Sequence, residues 1–181
     1  MSIKKPKPVI EYRNYYLPSS FPVLLLTGDN WKISDVKSEH LHFHNCLEVG
    51  ICHSRSGILE FCNAMTMPFS EGDVTCIPRN IPHTTYSAPC TKSRWSYLFF
   101  DPRQLFRDML PPDFSYSMIC DDVHKYLIPA GLSRRIPLLA DAAVEELSAE
   151  EPDRMLAKSY LFALYMEIIL SLIHISEPTR H

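Results

Sequence analysis

The chain reads as a mainly β protein, a sandwich or barrel, followed by a pair of C-terminal helices. Three observations lead there. Between Phe21 and Phe100, short β-rich runs recur at a spacing of roughly 8 to 12 residues with polar, Gly or Pro breaks between them. After Asp101-Pro102 the apolar residues change from alternation to helical spacing. The composition, 181 residues with 46% hydrophobic and 22% charged, is that of a folded chain able to bury a core.

Residues 1–20 read as an N-terminal arm, in which Lys4, Lys5 and Lys7 around a proline form a solvated end. The barrel is assigned to 21–112. Its strand runs are Phe21 to Leu26, Leu47 to Cys52, Ile58 to Phe61, Met65 to Phe69, Val74 to Ile77, Thr84 to Tyr86 and Arg94 to Phe100. In the last, Trp95, Tyr97 and Phe99 alternate with Ser96, Leu98 and Phe100, as on a strand buried on both faces near its end. Asp101 suits an N-cap and Pro102 the first helical position, with Leu105, Phe106 and Met109 following at helical spacing until Pro111-Pro112 stops them.

Residues 113–134 are mixed in pattern and read as a connector. Residues 135–173 are helical. In the first helix Ile136, Leu139, Ala140, Ala143, Val144 and Leu147 make one apolar stripe. Beyond Pro152, the apolar residues of the second helix cover more than one face, and a helix apolar on several sides must be buried on several sides. Leu156, Tyr160, Ala163, Met166 and Leu170 are therefore expected to pack against a partner subunit or a further domain, with burial wholly within the chain as the alternative. The tail, 174–181, closes no element and resembles translated sequencing-adapter read-through; it is expected to be non-native, with the natural frame continuing.

The charge balance excludes several functions. Eighteen Lys and Arg against twenty-one Asp and Glu leave a net charge of −3, whereas a nucleic-acid-binding domain is usually basic in a patch. Only 5 glycines accompany 15 prolines, and their wide separation leaves no GxGxxG or GxxxxGK loop for a nucleotide. The N-terminus lacks a secretory signal pattern, so a cytoplasmic protein is expected. The apolar stretch from Leu161 to Ile173, broken by Glu167 and Ser171, is shorter than the ~20 residues of a membrane span. The six cysteines contain no CxxC pair, which argues for reduced, small apolar residues rather than a zinc ribbon.

One constellation carries chemistry. His40, His42 and His44 alternate with Leu41 and Phe43, so on an extended strand the imidazoles share a face. Glu48 has the same parity; if the strand continues, His42, His44 and Glu48 line one wall, and His83 from a neighbouring strand supplies a fourth ligand. Imidazole and carboxylate suit manganese, iron, nickel or zinc, and a site with an open position can bind or polarise a small molecule. Three readings stay open for this set: a bound metal, a polar interior holding an organic effector without metal, and a structural role. His40 and His53 are expected to face solvent or support the ligands from behind. Cys46 shares the parity of His44 and Glu48, and Tyr86, Trp95 and Tyr97 are candidate pocket walls suited to a sugar or similar ring, with a core role as the alternative.

The pattern His42-x-His44-x3-Glu48 with Gly57 resembles the first cupin motif, and Gly72-x5-Pro78 with His83 resembles the second. In cupins these histidines and the glutamate ligate a metal within a double-stranded β-helix, or jelly-roll, barrel. Two positions depart: Asn80 replaces a usual glycine, a mild change because Asn tolerates the left-handed conformation, and Ser87 replaces the motif's last asparagine. Over about residues 10 to 172 the order His-x-His, Glu-Val-Gly, Gly-Asp-Val, Ile-Pro-x-Asn-x-Pro-His and Trp-Ser-Tyr-Leu-Phe-Phe-Asp-Pro, then two helices, resembles the sensor half of AraC-type bacterial transcription regulators. That resemblance implies a barrel that binds a small effector, helices that form a homodimer, and promoter DNA read by a separate helix-turn-helix domain absent from this sequence. The rival is a small metal-dependent cupin enzyme, an isomerase or dioxygenase using the same ligands.

Overall fold

A computed structural model describes residues 9–115 and 125–176. The lysine cluster, the middle of the connector with Cys120, and residues 177–181 lie outside the described residues. The strands are β1 (Val9–Arg13), β2 (Val23–Leu26), β3 (Lys32–Ile33), β4 (His40–His44), β5 (Leu47–Ser54), β6 (Gly57–Phe61), β7 (Thr66–Phe69), β8 (Val74–Ile77), β9 (His83–Ser87), β10 (Ser93–Phe100) and β11 (Leu127–Ile128). The helices are α1 (Pro102–Leu105), α2 (Arg135–Ser148) and α3 (Arg154–Ser176). The strands form the two sheets of a jelly-roll barrel: β1-β4-β9-β6-β7 in one, and β11-β8-β5-β10-β2 in the other, with β3 also paired to β10. The C-terminal helices pack on the outside of the second sheet.

Every strand run read from the sequence is present, with ends displaced by at most two residues. The departures have physical reasons. The arm contributes β1, which pairs in parallel with β4; all five of its residues are exposed, so backbone pairing, not an apolar pattern, holds it in place. The two-residue β3 and β11 are too short to show a period. β11 brings Tyr126, Leu127 and Ile128, at 1%, 8% and 2% exposure, into the core from a segment that reads only as a connector. Helix α1 is a single turn capped by the Asp101 carboxylate, which accepts from the Arg103 amide at 2.9 Å. Leu105 and Phe106 anchor it, but Met109 is exposed and does not extend the stripe. α3 runs on to Ser176, three residues past the expected end, since no breaker intervenes before Pro178.

The central strands β5 and β10 are buried on both sides. Their outward residues Val49, Ile51, Leu98 and Phe100 join Phe106, the α2 residues Ile136, Ala140 and Ala143, and the α3 residues Leu161, Leu164 and Tyr165 in one apolar cluster. Their inward residues Cys52, Trp95, Tyr97 and Phe99 form a second cluster with Phe69 inside the barrel. Within α3, Ala157, Leu161, Leu164, Tyr165, Ile168 and Ile169 make the stripe buried in the chain itself. Of the five positions assigned to a partner, Leu156 and Leu170 are exposed and Tyr160, Ala163 and Met166 are half-buried. The start of α3 is fixed by Asp153, whose carboxylate accepts from the amides of Met155 and Leu156 at 2.8 and 3.1 Å.

Among the described residues no helix is long and apolar enough to cross a membrane. Cys46, Cys52 and Cys76 are buried, and no disulfide joins the described cysteines.

Candidate functional site

Alternation along β4 turns His42 and His44 to the barrel interior, and β9 lies antiparallel beside it with His83 directly opposite His42. The chain then leaves this sheet. The Asn45 side chain accepts from the Tyr15 amide and donates to the Tyr15 carbonyl, at 2.9 and 3.0 Å, and the Asn80 amide donates to the His44 carbonyl at 2.9 Å. Asn80 holds φ +65°, the left-handed turn that asparagine accepts in place of glycine. Beyond this crossing β5 begins in the opposite sheet, paired with β8 and β10. The expectation of one wall is therefore corrected: Glu48 faces the histidines from the other sheet, because the strand ends at His44 and common parity carries no meaning across a break.

The four side chains meet in the interior. His44 is 0%, His83 1% and Glu48 4% exposed. Nε2 of His44 lies 3.2 Å from one carboxylate oxygen of Glu48, and Nε2 of His83 lies 3.7 Å from the other. The rings of His42 and His83 are 4.3 Å apart, and those of His44 and His83 5.2 Å. The ring orientations follow from their backs: Nδ1–H of His44 donates to the Cys46 carbonyl at 2.8 Å and Nδ1–H of His83 donates to the Ile81 carbonyl at 2.9 Å. A carbonyl only accepts, so these protons sit on Nδ1, and in the neutral rings both Nε2 atoms present lone pairs toward a carboxylate. Nε2 of His44, although near Glu48, is buried without a properly directed hydrogen bond.

Such an arrangement of lone pairs needs a cation at its centre, a proton or a metal. Metal-binding histidines commonly donate their remote N–H to a backbone carbonyl in this way. Donor atoms of His42, Glu48 and His83 all lie within 4.8 Å of one another; two ligands opposite each other around one ion at ~2.1 Å would be ~4.2 Å apart. His42, Glu48 and His83 thus fit a divalent ion after small side-chain shifts, whereas His44, also expected as a ligand, stands outside that group with its Nε2 3.2 Å from Glu48.

Electrostatics support the division of roles. Burial alone pushes the Glu48 carboxyl up, but the charge of His83 and the contacts from His44 and His83 outweigh it and hold the group below the usual carboxylate range. His42 is pushed down to about 3, first by burial and then by the neighbouring His83 charge, so it stands neutral with a lone pair to offer. Burial raises the Cys46 thiol to about 12, and burial with the Glu48 charge raises the Tyr97 phenol well above its ordinary value; neither ionises at neutral pH.

His42, Glu48 and His83 line a cavity of about 280 Å³ between the sheets, together with Tyr97 and Phe99 of β10 and Arg13 of β1. Gly50 makes room for the Tyr97 ring: a Cβ at this position would stand 2.9 Å from that ring and collide with the Thr75 hydroxyl. Of the candidate walls only Tyr97 lines the cavity. Trp95 is 1% exposed and donates its indole N–H to Ser93 at 2.9 Å, which makes it core. Tyr86 lies outside the cavity, reaching Glu60 at 3.4 Å beneath the Lys37 ammonium. Cys46 is buried in the core and serves through its carbonyl, not its sulfur. His40 is exposed, and His53 points to the helical side, 2.7 Å from Ser96 and 3.9 Å from Asp141 of α2. Sequence reasoning missed Arg13, Tyr15, Trp31 and Lys32 as lining residues; they sit in or next to exposed short strands that leave no periodic signal. Phe99 shares the parity of Tyr97 and was open to recognition.

No protein-family model matches the sequence, and no curated protein matches it. Among solved structures, an apo ToxT variant from Vibrio cholerae strain SCE256 is similar over 88% of this chain and 59% of its own, with a TM-score of 0.54 and 11% identity. The AraC-like transcriptional activator CuxR is similar over 76% of this chain and 45% of that one, with a TM-score of 0.46 and 12% identity. A cupin-2 domain protein from Shewanella frigidimarina is similar over 42% and 64%, with a TM-score of 0.30 and 14% identity. At such identities the ToxT likeness speaks for the fold, and its 88% coverage extends past the barrel into the helical segment. This chain spans less than two thirds of the ToxT and CuxR chains.

Proposed function

We propose that this chain is the ligand-sensing and dimerisation module of an AraC-type transcription regulator, a non-catalytic sensor whose cavity takes a small-molecule effector. One observation carries the reading: the strands that wall the cavity with Glu48 and Tyr97 also carry, on their reverse faces, the residues against which α2 and α3 pack. A ligand that favours one arrangement of β5 and β10 thereby biases the helices, by as much as its affinity differs between the two arrangements. In this reading a divalent transition metal is held by His42, Glu48 and His83, and supplies a Lewis-acidic position for the effector. Leu156, Tyr160, Ala163, Met166 and Leu170 join two copies, and promoter DNA is read by a helix-turn-helix domain that this sequence does not include. The cytoplasm is the compartment in which such a module works.

Two measurements on the purified chain test it. Titration of metal-free protein with Zn²⁺, Mn²⁺ or Ni²⁺ should give about one ion per chain, lost in Glu48→Gln and in His83→Ala; failure with every metal leaves a purely organic pocket. Light scattering at micromolar concentration should give a dimer, and a clean monomer removes the role assigned to α3. The genomic frame downstream of the Ile173 codon should encode two helix-turn-helix patterns; a native stop codon there, or turnover of a substrate by the isolated chain, overturns the regulator reading.

A further inference from the structure

We propose that the ligand of this cavity is a small organic acid bearing one planar ring, its carboxylate held at the mouth by Arg13 and Lys32 and its ring laid against Tyr97 and Phe99. The inference rests on the reading of the cavity as a ligand pocket and adds the chemical class of what enters it.

The register of β1 places the first cation. Parallel pairing sets Glu11 beside His42 and Arg13 beside His44, and residues paired across neighbouring strands share a face of the sheet. Arg13 therefore projects on the side of the imidazoles and lines the cavity. Lys32, from β3, lines the same cavity.

The charges do not balance within the cavity walls. Glu48 is the one carboxylate among the lining residues, and its two oxygens already face His44 and His83. Among the described residues the one ion pair of Arg13 is a long, exposed contact of 3.5 Å with Glu11, beside which it also reaches the Tyr15 side chain, and Lys32 forms no ion pair. Two cations at the mouth of a partly apolar cleft raise the local concentration of an anion and reward a planar carboxylate, which a guanidinium grips with paired donors.

A second feature points the same way. Tyr97 lines the cavity, and its hydroxyl, which makes no hydrogen bond among the described residues, is open to a partner there. It offers a donor to an acceptor on the ligand. Tyr15, Trp31 and Phe99 complete an aromatic surface, and a cavity of about 280 Å³ lies just under the ~300 Å³ where drug-sized pockets begin. That volume suits one ring and a short acid side chain.

The test is calorimetric titration of the full chain, with and without bound Zn²⁺, using benzoate, phenylacetate and 3-phenylpropionate, their neutral amides, and D-glucose. At least one acid should bind about tenfold or more tightly than its amide, as expected for a charged hydrogen-bonded contact. Arg13→Gln and Lys32→Gln, both on exposed side chains, should each weaken the acid by up to about tenfold while leaving Zn²⁺ binding, the amide and the thermal melt unchanged. Tyr97→Phe should weaken acid and amide alike. Equal affinity for acid and amide, preference for glucose, or no binding of any acid by a protein that still binds Zn²⁺ overturns the acid inference alone. Failure to bind Zn²⁺ or any of these compounds overturns the pocket reading beneath it as well.

Discussion

The helix side of β5 and β10 and the cavity side of the same strands follow different rules. Toward the helices, Val49, Ile51, Leu98 and Phe100 are no more than 2% exposed and sit in a continuous apolar cluster. Toward the cavity, the same few residues of chain supply Glu48, Gly50 and Tyr97, and with β4 and β9 they surround a buried histidine nitrogen, Nε2 of His44, that lacks a hydrogen bond. An unpartnered buried polar group is unfavourable for folding, so its place on this face marks where a bound species would complete the structure. The fully packed reverse face supplies the stability that lets this one remain open.

That contrast can be broken or sharpened by substitution. The largest effect is expected on the helix side: Phe100→Ala leaves a cavity beside Phe106 and Tyr165 and should reduce unfolding free energy by about 3 to 5 kcal/mol in urea denaturation. On the cavity side, Gly50→Val drives a side chain into Thr75 and Tyr97. It should cost about 1 to 3 kcal/mol and, by displacing the Tyr97 ring that lines the cavity, weaken binding of a cavity ligand; unchanged affinity would show that the ligand does not rest on Tyr97.

Acid should separate the faces next. In metal-free protein, His42 folded is pushed down to about 3 against ~6.5 unfolded, so between these values the unfolded chain binds more protons and stability falls as pH falls. Lowering pH from 7 to 5 should remove about 1 to 2 kcal/mol in the natural chain and visibly less in His42→Phe; equal losses would detach the acid sensitivity from this residue. Glu48, also held below its ordinary value, adds a further loss that begins as pH falls through the range where a free carboxylate protonates. The smallest effect is at the crossing between sheets. Asn80→Ala, at φ +65°, should cost about 1 kcal/mol and Asn80→Gly close to nothing, by thermal melts.

Much of this molecule is legible in one dimension because burial imposes a period. Trp95, Tyr97 and Phe99 against Leu98 and Phe100 disclose a strand enclosed on both sides, and His42 with His44 disclose a shared face. The His-x-His, Glu48 and His83 set is visible as residue types whose chemistry belongs together. β1, β3 and β11 are not visible, since backbone pairing holds them and no repeating apolar position records it; with them go Arg13 and Lys32. The side chains of Trp95 and Tyr86 are aromatic residues on neighbouring elements of one barrel, yet one is core and the other lies outside the cavity, a distinction that composition does not make.

Local pattern, then, determined the strands, the two C-terminal helices and the inventory of donors, because alternation, capping and proline breaks act within a few residues of where they are read. Only the tertiary structure decided that Glu48 opposes the histidines from the other sheet and that β1 brings a guanidinium to their side. Those relations depend on the chain's change of sheet at Asn45 and Cys46 and on strand pairing between distant segments, where closure of the barrel, and not the periodicity of any one strand, sets which side chains meet.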